Sequence, residues 1–194
     1  MENIKFSINK IDEKLYSKML GKSIPTEYKD KVNIESLRYL KVGHIGFDGK
    51  SHQGEIIVNS ALADEVLEIF KSLYEKGYKI EKIKLVDDYN GDDNISMADN
   101  NSSAFNYRVI PNTDKLSNHA LGRAIDINPL YNPYIVDDNV FPQEGVEYVD
   151  RTQKDDRFIR KNDLIYNIFI KYGWSWGGEW TNAKDYQHFE KIEK

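Results

Sequence analysis

Cysteine is absent from this 194-residue chain. That excludes disulfide scaffolding, thiolate metal ligation and cysteine nucleophiles, and it leaves the redox compartment open. Long apolar runs are absent too, so no segment reads as a membrane span. The N-terminus, Met1-Glu2-Asn3-Ile4-Lys5-Phe6, leads into no apolar core of secretion-signal length. As written, the expectation is a cytoplasmic chain, or one exported by another route, or one whose signal has been removed. There is no basic surplus either. Twenty-seven Lys and Arg against 32 Asp and Glu give a net charge of −5, which argues against a general nucleic-acid binder. Nothing in the sequence speaks for a particular oligomeric state.

What remains is a chain of one-domain size, with no internal repeat and no low-complexity linker. The expectation is a single domain over residues 1–194, with residues 1–30 as a peripheral N-terminal extension that carries no motif. Residues 1–50 read as short helices and loops, with Asn33 capping a short helix that carries Ile34, Leu37 and Leu40. Residues 54–59 read as a strand. Ser60 then caps a helix to about Glu75, because Leu62, Val66, Ile69, Phe70 and Leu73 recur at helical spacing and Gly77 stops it. Residues 79–86 alternate imperfectly and read as a strand. Residues 87–107 are polar and rich in Gly and Asn and read as one long loop, with Asp92 and Asp93 solvated. Residues 123–128 read as a strand with Ala124, Asp126 and Asn128 on one face. Residues 129–153 look irregular. Asn162 caps a second helix ended by Gly173, an aromatic turn follows from Trp174 to Trp180, and a last strand starts at His188. Strands and helices do not alternate regularly, so the fold class expected is α+β, a small central antiparallel sheet with flanking helices.

The chain has only four histidines. Two lie in dense polar segments, Ser117-Asn118-His119-Ala120-Leu121-Gly122-Arg123-Ala124-Ile125-Asp126 and Asp185-Tyr186-Gln187-His188-Phe189-Glu190. A turn at Gly122 followed by a strand can bring His119 and Asp126 back to one point. With His188 they make two imidazoles and a carboxylate, a three-ligand set for one catalytic Zn2+ per chain with a fourth position for water. A carboxylate three residues before a ligand, Asp185, stands where a general base is expected. The plainer reading of each histidine is a hydrogen-bonded residue near a polar loop. His44 and His52 are read that way, as structural.

The pattern Ser117-x-His119-x-x-Gly122-x-Ala124-x-Asp126, followed by Asp185-x-x-His188-Phe189, resembles the zinc D-alanyl-D-alanine carboxypeptidase family. That family includes the vancomycin-resistance D,D-peptidases and the phage L-alanyl-D-glutamate endolysins. The resemblance extends from about Leu37. It takes in His52-x-Gly54, Ser102-Ser103-Ala104-Phe105-Asn106-Tyr107-Arg108, Asp126-Ile127-Asn128-Pro129 and Gly173-Trp174-x-Trp176-Gly177-Gly178. It implies zinc held by His119, Asp126 and His188, with Asp185 as general base. Arg108 would neutralise charge near the scissile carbonyl. The implied substrate is a peptidoglycan stem peptide, cut as a D-Ala-D-Ala carboxypeptidase or, alternatively, as an L-Ala-D-Glu endopeptidase. The base in the D,D-dipeptidases is usually glutamate, and aspartate here is more like the endolysin branch. The resemblance also allows a setting in the cell wall or in phage lysis.

Other residues around these motifs have two readings each. Ser117 can hold a ligand or substrate, or close a turn. Trp176 and Trp180 can wall a pocket or pack in the core. Gly177 and Gly178 can admit a substrate backbone or form a plain turn. Glu190 can support a ligand from behind. Two further readings stay open. One is a binding module that keeps the metal without catalysis, as in the signalling domain of Hedgehog proteins, which shares this fold. The other is a structural domain with no metal.

Overall fold

A computed structural model describes residues 4–110 and 113–192; the first three residues of the expected N-terminal extension and the last two of the chain lie outside it. The architecture is α+β. It is not built on one central sheet. The described strands form three separate three-stranded antiparallel sheets and one two-stranded parallel pair.

The largest sheet joins β1 (Ser7–Asn9), β2 (Leu37–Ile45) and β3 (Ser51–Asn59). β2 and β3 form a hairpin in register from Leu37 opposite Asn59 to Ile45 opposite Ser51. The short apolar run expected as a helix after Asn33 is therefore strand. Only Ile34–Ser36 turn, as one 3-10 turn, before the chain extends. Leu40, Val42, Ile56 and Val58 on this hairpin share a core cluster with Val66, Ile69, Phe70 and Leu73 of α2 (Ala63–Glu75). α2 follows the helical spacing read from the sequence and ends at Gly77, whose φ is +69°. Its cap differs from expectation. Asn59 accepts from the Ala61 amide, and Ser60 begins a 3-10 turn instead of capping.

α1 (Glu13–Met19) is capped by Asp12 and turns Met19 into a second cluster with Ile24, Leu37 and Phe105. Two expectations fail downstream. The strand expected over residues 79–86 shrinks to β4 (Lys82–Ile83), which pairs in parallel with β5 (Asn101–Ser102). The long loop expected over residues 87–107 contains α3 (Asp93–Ala98), capped by Asp92, which accepts from the Asn94 and Ile95 amides.

The two remaining sheets carry the site. One orders β6 (Ala124–Asp126), β11 (His188–Glu190) and β9 (Ser175–Trp176). The other orders β10 (Lys184–Asp185), β7 (Tyr134–Val136) and β8 (Asn139–Phe141), so the stretch expected to be irregular holds a hairpin. Behind β11 lies α4 (Leu164–Lys171), capped by Asp163 through the Tyr166 amide and not by Asn162. Phe169 of α4 stacks on Phe189 of β11 with ring centroids 4.1 Å apart. Side chains alternate along a strand. Anchoring Phe189 in the core therefore turns His188 and Glu190 to the opposite face.

Candidate metal centre

His188 and Asp126 sit directly opposite each other on the antiparallel β11–β6 pair. Cross-strand partners of this kind hold their side chains within contact distance on one face. His188 Nδ1 lies 3.0 Å from Asp126 Oδ1. His119 arrives from a 3-10 turn over Asn118–Leu121, which Ser117 caps by accepting from the His119 amide. The turn ends at Gly122, with φ +64°. A Cβ there would stand 2.5 Å from the Asn59 nitrogen and 2.8 Å from the Val58 carbonyl carbon of β3. Gly122 thus both reverses the chain and lets it lie against β3, with the Asn59 amide donating to its carbonyl at 2.8 Å. The Ser-x-His-x-x-Gly spacing has a local physical cause in this cap and this reversal.

His119 Nε2 then lies 3.2 Å from Asp126 Oδ2 and 3.2 Å from His188 Nδ1. His119, Asp126 and His188 form a group able to hold a metal ion, each offering one ligand atom within 4.8 Å of the others. The outer ring nitrogens fix how these atoms face each other. His119 Nδ1 donates to the Ala104 carbonyl at 2.6 Å, and His188 Nε2 donates to Glu190 Oε2 at 3.2 Å. With both outer nitrogens protonated, two nitrogen lone pairs and a carboxylate converge on one point. Neutral imidazoles cannot donate to one another there, so the point requires a cation or a proton. A three-donor N,N,O set with supported rings fits Zn2+.

Charges around the point agree with that demand. Burial opposes a charge on His188, but hydrogen bonds to Asp126 and Glu190, with the charges of Asp126 and Asp185, outweigh it and raise its pKa to about 10. Burial likewise resists ionisation of Asp126, and the charge and hydrogen bond of His119 with the hydrogen bond of His188 overcome it, holding the carboxyl well below the usual carboxylate range. Asp185 behaves oppositely. Burial pushes its pKa up to about 7, against the opposing pull of His188 and Arg108. Its Oδ2 lies 4.0 Å from His188 Nδ1, and its Oδ1 has no hydrogen-bond partner. Asp185 is therefore beside the three-donor point, close to protonic balance, with one oxygen unengaged.

The other expected residues are placed as follows. Arg108 pairs through Nε with Asp93, the first residue of α3, so Asp93 is not a solvated loop residue. Glu190 bridges His188 and the Asn118 amide nitrogen, the latter at 2.6 Å. Trp176 is a core residue: it is 5% exposed, packs edge-on to Tyr166 and stacks on Phe189. Trp180 instead lies against the His188 ring, centroids 5.3 Å apart. Gly177 is pressed against Asp185, where a Cβ would come 2.6 Å from its carbonyl oxygen. Gly178 lies over the Trp176 ring. His44 and His52 stack on each other across β2 and β3, apart from the three-donor group. The Ala104 carbonyl, Asn118 and Asp93 were missed by sequence reasoning. Asn118 lay inside the quoted motif, whereas Asp93 had no spacing signal at all.

Residues 111–191 match the model of a peptidase family described as D-alanyl-D-alanine carboxypeptidase. The match covers this segment and supports a peptidase of that type. It holds His119, Asp126, Asp185, His188 and Glu190, and it leaves Arg108, Asp93 and the resemblance expected from about Leu37 outside. No curated protein and no solved structure matches the chain.

Proposed function

We propose that this chain is a zinc peptidase that hydrolyses peptidoglycan stem peptides in the manner of a D-Ala-D-Ala carboxypeptidase. The single observation that carries the reading is the convergence of His119 Nε2, His188 Nδ1 and the Asp126 carboxylate, with both outer ring nitrogens engaged by acceptors. When bound, zinc supplies a Lewis acid that acidifies water and polarises a carbonyl. The chain's own residues do the rest. Asp185, with Oδ1 unengaged and a pKa near neutrality, takes a proton from the attacking water and returns it to the amine nitrogen as the C–N bond breaks. Arg108, whose charge acts on Asp185, neutralises the oxygen that becomes negative. Trp180 covers one side of the His188 ring and limits water there.

A second reading, cleavage of the L-Ala-D-Glu bond, is favoured by aspartate at position 185. Product analysis by mass spectrometry on defined muropeptides, with Asp185→Asn as the control, tests both. Release of free D-Ala supports the first reading and a cut after L-Ala the second. In either case Asp185→Asn is expected to keep zinc and lower kcat by ~10²–10⁴. No cleavage of any stem peptide by the zinc-loaded protein overturns the peptidase reading.

A further inference from the structure

Arg108 is not held by the zinc-site strands. Its backbone carbonyl accepts from the Ser117 amide at 3.0 Å, and its guanidinium forms an ion pair with one carboxylate among the described residues, Asp93, at the Nε side, although Nε itself makes no hydrogen bond. The terminal nitrogens have no partner there. A guanidinium offers donors along two edges of a planar fork. Asp93 engages the guanidinium from its Nε side, and the Arg108 charge also acts on Asp185 beside the three-donor point.

Asp93 is itself tied to the candidate metal centre. Its Oδ1 accepts from Asn106 Nδ2 at 2.7 Å, and the same Nδ2 reaches the Gly91 carbonyl at 3.1 Å. Asn106 is 6% exposed, and its backbone amide donates to the His119 carbonyl at 3.4 Å. A continuous path therefore runs from the His119 main chain through Asn106 and Asp93 to the Arg108 guanidinium. The Asp92 cap fixes the start of α3 and with it the direction of Asp93.

We propose that Asp93 is a positioning residue for the reaction: it orients Arg108 so that its Nη edge faces the substrate, in register with His119. The proposal rests on the peptidase reading. Asp93 touches no reacting atom in it. Charge alone would not need this device, since a free arginine also carries charge. An oriented fork supplies two parallel donors to a carboxylate or an oxyanion, and that requires a fixed plane.

The test is a double-mutant cycle on the zinc-loaded protein with a cleaved stem peptide. Asp93→Asn and Asp93→Ala are expected to lower kcat/KM by ~10–100-fold. Asp93→Glu, which keeps the carboxylate, should recover part of that loss. In the Arg108→Ala background the Asp93 substitutions should cost less than threefold, because the two residues act as one unit. Melting temperature and zinc content report any damage to α3 separately. Full additivity of the Asp93 and Arg108 effects overturns the proposal, as does wild-type kcat/KM in Asp93→Asn. An inactive parent enzyme would instead be a failure of the peptidase reading, visible before any variant is made.

Discussion

Glu190 Oε2 accepts from His188 Nε2 at 3.2 Å, on the far side of the imidazole from the nitrogen that meets Asp126. The same oxygen accepts from Asn118 Nδ2, one residue from His119. One carboxylate thus braces the ring of one donor and the turn that carries the other. It also selects the Nε2–H tautomer of His188, leaving Nδ1 to face the metal point.

Removing that brace should weaken metal binding without removing a ligand. Glu190→Gln is expected to lower zinc affinity by ~10–100-fold, the range for such supporting partners. Competition with a fluorescent chelator measures it. His188→Ala provides the reference for loss of a ligand and should leave no stoichiometric zinc. Equal affinity in Glu190→Gln and wild type would show that the bond does not support the ring.

How much of this was readable beforehand depended on the range of the cause. α2 was legible because five apolar residues at helical spacing bury one face, a purely local pattern. The three donors were legible because histidine is scarce and the turn at Gly122 is local. β2 reads as helix from the sequence because Leu37 and Leu40 stand three apart, a helical spacing; in the strand they fall on opposite faces and enter two different core clusters. Pairing with β3 decides it, and that partner lies across a hairpin. α3 was hidden in a polar stretch because it is only six residues long and buries only Ser96. The Asn118–Glu190 contact joins residues 72 apart, and the Asp93–Arg108 pair follows no periodicity. Contacts of that kind belong to tertiary packing.

His188 makes metal binding depend on pH. In the metal-free chain its pKa is raised to about 10 by Asp126, Glu190 and Asp185 acting against burial. A histidine raised above its unfolded value stabilises the fold fully below about pH 6.5, and that contribution is lost as pH rises through 10. A metal must displace the same proton. Between pH 7 and 9 the metal-free protein should therefore become less stable while apparent zinc affinity rises, by about tenfold per pH unit for one displaced proton. Melting curves with and without zinc should move apart over that interval. A gap that stays constant from pH 7 to 9 would show that no proton is exchanged for the metal.

Gly177 tests whether Asp185 must sit where it does. Its φ is not in the left-handed region, so its role is one of space and not of backbone freedom. A Cβ would lie 2.6 Å from the Asp185 carbonyl oxygen, 2.8 Å from the Asp185 Cβ and 3.3 Å from the His188 Cβ. The first two distances are too short for any real contact, and one of them involves backbone, which cannot rotate away. β10 would have to shift, and Asp185 with it, whereas His188 needs to give only a few tenths of an ångström. Gly177→Ala should cost about 1–3 kcal/mol through overpacking. Because Asp185 moves more than His188, zinc should stay near one per chain while kcat falls at least tenfold. Mass spectrometry of the intact protein, thermal melting and kinetics separate the three effects. Full activity in Gly177→Ala would mean that the reaction tolerates a displaced Asp185, and the base would then have to be sought elsewhere.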